Sequence, residues 1–206
     1  MGTTAEAGPL QAGKDFVIRS ATLDDVLRTR TMQMRAMSLT GAGYYSRAEI
    51  DSFLRSIGTL EDAVVAEGHV FIALDRDGQV IGSGGWSRLA PCYARFTKAG
   101  EIIATGANPV PGVATVRSVF VAPEHARRGV GRAIMQAVEA DAREWGLFLL
   151  RLTAMLSAER FYRALGYSGD ARGHMRLPDG ARLGCVRLEK LIAAERAAAA
   201  EAASAA

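Results

Sequence analysis

Arginine, glycine and a helix start stand together in Arg127-Arg128-Gly129-Val130-Gly131-Arg132, and that combination can hold an anion. The first amides of a helix lack intrahelical partners, and the helix dipole adds partial positive charge at the same end. Two glycines let the backbone approach a ligand with no Cβ in the way, and Arg127, Arg128 and Arg132 add full charges, which suits a phosphate or pyrophosphate. A plainer reading fits the same residues: Gly129 and Gly131 only permit a tight turn, and the arginines are ordinary solvated charges. Spacing excludes two phosphate chemistries. A dinucleotide fingerprint needs a small residue where Ile134 stands and an acidic one about twenty positions on, where the chain has Arg151. A Walker loop needs Gly-Lys-Ser or Gly-Lys-Thr, and neither occurs.

The other reactive residues are dispersed. Cys92 and Cys185 have no Cys-x-x-Cys spacing and His69, His125 and His174 do not cluster, so neither a disulfide framework nor a metal site is expected, and a reducing compartment is. Tyr162, with an ordinary phenol pKa of about 10, is protonated at neutral pH; by spacing alone it is an aromatic packed beside Phe161 and Leu165. A net charge of +3 and a pI near 9.1, with the arginines scattered, are too little to require nucleic acid. No apolar stretch approaches membrane-spanning length, and the first residues lack the apolar core of a signal peptide, so the expectation is a soluble cytoplasmic protein without a membrane partner.

Positioning the glycine turn requires a strand before it and a helix after it. The apolar run Val116, Val119, Phe120 and Val121 ends at Ala122-Pro123, and Val130, Ala133, Ile134, Ala137 and Val138 then recur at helical spacing, with Arg132, Gln136, Glu139 and Arg143 expected on the far face. Residues 147–152 read as a buried strand, so residues 114–121 and 148–152 should form a parallel pair with a right-handed crossover. With 206 residues, 49% of them hydrophobic, one domain with a substantial core is the default.

Upstream, residues 1–15 read as a disordered leader and Phe16-Val17-Ile18 as a first strand. Thr22 is expected to cap a helix carrying Val26, Leu27, Met34 and Met37, which ends at Gly41-Ala42-Gly43. Ser46-Arg47-Ala48-Glu49 is a capping box for a second helix with Ile50, Phe53, Leu54 and Ile57 inward, closed by Gly58. Between them Tyr44 and Tyr45 either anchor the linker or reach a substrate, at most one doing the latter. Residues 69–74 and 79–82 flank a turn at 75–78 and make a hairpin; the dense glycines of Gly82-Ser83-Gly84-Gly85 imply a bulge or the lining of a pocket, with Trp86 in the core. Residues 89–108, including Cys92, Tyr93 and Arg95, read as a loop insertion that either shapes substrate choice or has no role. Residues 157–165 form a short helix, 175–177 and 183–188 a final hairpin, and the alanine-rich end from residue 191 a fraying tail.

This arrangement resembles the acyl-CoA-binding core of the GNAT superfamily of N-acyltransferases. The family's Gln/Arg-x-x-Gly-x-Gly/Ala signature is matched by Ala126-Arg127-Arg128-Gly129-Val130-Gly131, with Ala126 departing at the first position. Phe161-Tyr162-Arg163-Ala164-Leu165-Gly166-Tyr167 is similar to a second family segment; Met155 stands where many members place Asn, and Ser157 offers a polar contact nearby. Residues 18–25 also look like the family's opening. The resemblance implies a single α/β (α+β) domain over residues 16–190, a mixed central sheet flanked by helices. It implies acetyl-CoA as co-substrate, with its pantetheine along Val119, Phe120 and Val121 and its phosphates on Arg127, Arg128, Gly129, Val130, Gly131 and Arg132, and Ser157 in contact. It further implies direct transfer to a primary amine of a small molecule or peptide, an oxyanion held by an amide near residues 119–121, and Tyr162 as the acid that protonates the departing thiolate. Glu101 and His125 are considered as the base and neither is selected. The oligomeric state is open, a homodimer included, and an acyl-CoA-binding regulatory module without turnover is the alternative.

Overall fold

The apolar runs pair into one mixed sheet. A computed structural model describes the backbone of residues 11–12 and all of residues 15–89 and 110–192. Its strands are β1 (Gln11–Ala12), β2 (Phe16–Ser20), β3 (Val70–Asp75), β4 (Val80–Ser87), β5 (Val113–Val121), β6 (Leu149–Met155), β7 (Arg172–Arg176) and β8 (Arg182–Leu191), and the sheet order is β1-β2-β3-β4-β5-β6-β8-β7. The helices are α1 (Val26–Thr40), α2 (Arg47–Ser56), α3 (Asp62–Ala66), α4 (Val130–Glu144) and α5 (Glu159–Arg163). Neighbouring strands run antiparallel except β5 and β6, which are parallel as anticipated.

Helices cover both faces, and the side-chain period of the strands says which lies where. In β4, Gly82 and Gly84 point at α4: an added Cβ would stand 2.7 Å from Ile134 at either position. Ser83 between them points the other way and meets Gln33 of α1 at 2.9 Å. The glycines therefore serve close helix–sheet packing beside a bulge, and the pocket-lining alternative falls away. Trp86, fully buried, continues the strand; its Nε1 donates to Asp141 of α4 at 2.6 Å, and His69 stacks on its ring at 3.8 Å.

Several expectations change. Residues 11–12 of the anticipated leader pair with β2, Leu191 extends β8, and Ile192 packs in the core; residues 1–10 and 193–206 lie outside the described residues, as do 90–109 with Cys92, Tyr93, Arg95 and Glu101. Three helices, not two, separate β2 from β3, because α3 is too short to show helical period. The inner face of α1 is Val26, Thr29, Met32, Gln33, Ala36 and Met37, while Leu27 is 78% and Met34 47% exposed. Apolar residues alone do not mark that face, since two buried positions are polar. Thr22 is the N-cap of a capping box with Asp25, at the single 3-10 turn that precedes α1. Its hydroxyl also donates to Asp25 at 3.1 Å, whose carboxylate accepts from the Thr22 amide and Arg19 at 2.7–2.8 Å and from Arg28 at 3.0 Å. Burial alone would raise the Asp25 pKa, and these donors outweigh it and hold it well below the usual carboxylate range. Glu139 does not face solvent: it accepts from Lys190 of β8 at 2.7 and 2.8 Å.

The close approach of α4 predicts an asymmetry among glycines. Gly84→Ala puts a methyl 2.7 Å from Ile134 and 3.1 Å from Val119, and should cost about 1–3 kcal/mol in urea unfolding. Gly43→Ala meets nothing within 4 Å and should change stability by less than about 0.5 kcal/mol. Equal effects at the two positions would refute the packing account.

Candidate functional site

The parallel ladder between β5 and β6 is short. It registers Val113↔Leu149, Ala114↔Leu150 and Thr115↔Arg151 and then stops, while β6 stays paired with β8 as far as Met155↔Cys185. Beyond Thr115 the two strands diverge, so among the described residues no strand lies beside the β6-facing edge of residues 116–121. Backbone donors and acceptors in such an edge need a partner. Val119, Phe120 and Val121 lie along this cleft, half-buried, and Phe120 packs against both hydrophobic clusters of the protein.

At the far end of β5 the chain passes through a short turn, Pro123–His125, into the glycine segment. Arg127 and Gly129 both have left-handed backbones, φ 63° and 86°, and Gly129 is the N-cap of α4 with no side-chain cap on the first-turn amides. The two glycines do different work. Gly129 is needed for its φ, and a Cβ there would meet open space. At Gly131 a Cβ would stand 3.2 Å from the Phe161 ring and 3.3 Å from Val121, so a side chain there would also push on α5.

Arg127, Arg128 and Arg132 are exposed at this turn. Arg128 leans toward Asp15, 3.6 Å away, and His125, 3.5 Å away, whereas Arg127 and Arg132 have no ion pair among the described residues. Val130 is buried as the first apolar anchor of α4. A pocket of about 110 Å³ opens beside the turn on the β2 side, lined by Asp15, Phe16, Ile81, His125, Arg128 and Val130. It is too small for a nucleotide and does not lie in the cleft.

The second expected motif closes the other wall. After β6, Leu156–Ala158 form a single 3-10 turn holding half-buried Ser157, and α5 follows. Tyr162 is 7% exposed, edge-on to Phe161 at 5.1 Å and to Tyr167 at 5.7 Å. Burial pushes its pKa above the usual phenol range, so the hydroxyl carries its proton throughout the neutral range. Through Phe161, the helix that holds Tyr162 touches the helix that begins at Gly129. Met155, where the resemblance looks for Asn, has its sulfur 3.7 Å from the Tyr45 hydroxyl.

Tyr45 anchors the linker, as the plainer alternative had it. It is buried, accepts from the Leu156 amide at 2.8 Å and donates to the Gly184 carbonyl at 2.7 Å, and burial raises its pKa to about 12. Tyr44 is 54% exposed. The residues that sequence reasoning missed are polar groups in and behind β5: buried Gln33 and Ser83, half-buried Ser118, and Arg117, which pairs with Glu61. No local pattern marked them. Among the described residues, no group of three or more His, Cys, Asp or Glu side chains is placed to hold a metal, and no helix is long and apolar enough to cross a membrane.

A strand edge, uncapped helix amides and two arginines that have no partner among the described residues together have the chemistry for an extended amide-bearing chain leading to a pyrophosphate, which is what acyl-CoA presents. The sequence model of the acetyltransferase (GNAT) family matches residues 35–167, more than half of the chain. No curated protein matches the sequence. Among solved structures, an N-acetyltransferase from Rhodopseudomonas palustris superposes with a TM-score of 0.61 at 18% identity, over 88% of this chain and 98% of its own. The PaiA N-acetyltransferase from Thermoplasma acidophilum, in complex with coenzyme A, gives 0.60 at 16%, over 85% and 98%. A GNAT family acetyltransferase from Brucella melitensis, in complex with acetyl-CoA, gives 0.50 at 21%, over 75% and 83%. At these identities the likeness is one of fold.

Tyr45 ties the α1–α2 linker, the turn after β6 and β8 together, and predicts a local weakness. Tyr45→Phe keeps the ring and strands the Leu156 amide and the Gly184 carbonyl, which should cost about 1–3 kcal/mol and speed amide exchange in residues 155–158. Tyr44→Phe should do neither; a Tyr45 variant as stable as the parent would remove the anchor.

Proposed function

Because the chain belongs to the acetyltransferase (GNAT) family, we propose that it transfers the acetyl group of acetyl-CoA directly to a primary amine of a small molecule or peptide. The observation that carries this reading is the end of the β5–β6 ladder at Thr115↔Arg151, which leaves a strand edge free in line with the glycine turn. Residues 119–121 pair with the amides of the pantetheine arm, the first-turn amides of α4 hold the pyrophosphate, and Arg127 and Arg132 meet the remaining phosphate charge. Ser157 contributes a polar contact from the opposite wall.

Holding amine and thioester side by side in this cleft supplies most of the advantage over solution. The amine nitrogen forms a bond to the thioester carbon, the carbonyl oxygen takes up negative charge beside a backbone amide of residues 119–121, and the carbon–sulfur bond then breaks. The sulfur receives the Tyr162 hydroxyl proton. Alkyl amines have a pKa of about 10, so the attacking nitrogen gives its extra protons to solvent, and that exchange restores Tyr162. The products are an N-acetylated amine and free CoA thiol. The test is a panel of primary amines with acetyl-CoA, reading free thiol, alongside calorimetry of acetyl-CoA binding; absence of both binding and thiol release would refute the proposal, and binding without release on any amine would favour the regulatory module.

Two variants refine it. Tyr162→Phe should lower kcat by about a hundredfold or more with acetyl-CoA affinity unchanged. Because burial raises the Tyr162 pKa, its acid form persists below that value and is lost only above it, so the rate should rise with pH as the amine deprotonates and show no fall up to about pH 10. Parent-like turnover in the variant would make Tyr162 structural. Arg127→Ala combined with Arg132→Ala should weaken acetyl-CoA binding by about tenfold or more and flatten its salt dependence; unchanged affinity would mean that the amides act alone.

A further inference from the structure

The bulge in β5 is held by a buried clamp. Pairing with β4 runs Gly82↔Val121 and Ser83↔Phe120, then resumes at Gly85↔Arg117, so β5 spends an extra residue there, and Ser118 and Val119 have no partner in the register. Ser118 has a φ of 56°, a left-handed backbone that a residue with a Cβ adopts only when its surroundings hold it there. Three side-chain bonds fix it there. The Ser118 carbonyl accepts from the Ser83 hydroxyl at 2.9 Å and from Gln33 Nε2 at 3.3 Å, and its own hydroxyl donates to the Thr59 carbonyl at 2.7 Å. Gln33 Nε2 also donates to the Ser83 oxygen at 2.9 Å, closing a triangle.

Stability does not account for Gln33. It has no exposed surface, sits between Met32 and Ala36 on the inner face of α1, and its Oε1 has no partner among the described residues, where an apolar side chain of the same length would strand nothing. A buried acceptor left without a donor is destabilising. What Gln33 does control is direction. The carbonyl of Ser118 and the amide of Val119 belong to one planar trans peptide, so they point opposite ways. With the carbonyl drawn toward β4 and α1 by Ser83 and Gln33, the Val119 N–H is turned toward the cleft where β6 has diverged.

We propose that Gln33, with Ser83, is a positioning residue that aims the Val119 amide at the oxygen of the reacting thioester. Neither side chain touches the substrate; both act through the Ser118–Val119 peptide, an instance of preorganising a donor before charge develops. The inference rests on the acetyl-transfer reading.

The test uses the full-length protein with Gln33→Met, which keeps length and loses the donor, and Ser83→Ala, which removes the second donor with minimal change in volume. Carbonyl-13C-labelled acetyl-CoA is the probe, and its thioester stretch is read by infrared difference spectroscopy. In the parent, that band should lie below its position in solution; in each variant it should move back toward the solution value, with calorimetric affinity for acetyl-CoA unchanged. With an amine active in the panel, kcat should fall about tenfold to a hundredfold, less than the 10²–10³ typical of deleting an oxyanion donor outright. The double variant should lose no more than the larger single loss, since both donors serve one carbonyl. Melting of Gln33→Met should be equal to or above that of the parent. A structural role would do the reverse, lowering the melting temperature and leaving band and kcat in place, and that result overturns the proposal, in Ser83→Ala alone should Gln33→Met fail to fold. A parent that neither binds acetyl-CoA nor releases thiol overturns the acetyl-transfer reading itself, whereas an active parent with unchanged variants overturns only the role of Gln33.

Discussion

Two parallel strands in the middle of a sheet part after three paired residues, and the open edge this leaves on β5 is the constraint on which the structure depends. Interior strands normally satisfy both edges, and a gap in that position has to be held apart by what packs around it. Here β6 is held to β8 along its whole length and β5 to β4 on its far side, so each strand follows a different neighbour. The cleft is the result of two strong pairings that disagree in direction.

Both faces of the sheet brace that disagreement. On one, α4 lies so close to β4 that only glycine fits at positions 82 and 84, and its amino end is thereby set at the end of β5. Asp141 adds a fixed point farther along the helix, accepting from Trp86 with His69 beside it. On the other face, α1 reaches β4 and β5 with Gln33, and Tyr45 joins the following linker to β8 and to the turn after β6. The two walls of the cleft are thus tied separately, and they meet where Phe161 touches the Gly131 backbone.

Charge is distributed to match. Where carboxylates are buried or nearly so, as at Asp25 and Glu139, cationic side chains accompany them, because burial of an unpaired charge is too costly. Around the glycine turn the balance is reversed: Arg127 and Arg132 stand exposed beside helix amides that no side chain of the described residues caps, where strand edge and helix start converge.

Much of this was legible in the sequence, and it was the local part. The capping box at Ser46 and Glu49, the turn at Gly78, the left-handed Gly129 and the period of α4 each involve residues a few positions apart, so composition and spacing were enough to place them. The glycine turn and the Phe161–Tyr167 segment are local patterns of the same kind. What escaped were relations between distant residues. Gln33 finds its partners 50 and 85 positions away, and Glu139 finds Lys190 51 positions away; nothing near Gln33 marks it as buried, since Leu27 and Met34 on the same helix are exposed. The insertion of β8 between β6 and β7 and the way the Gly131 hydrogen faces Phe161 are likewise products of packing. Backbone conformation at caps and turns is decided by neighbours along the chain, and which polar group is buried, and what it then aims, only by the elements that close over it.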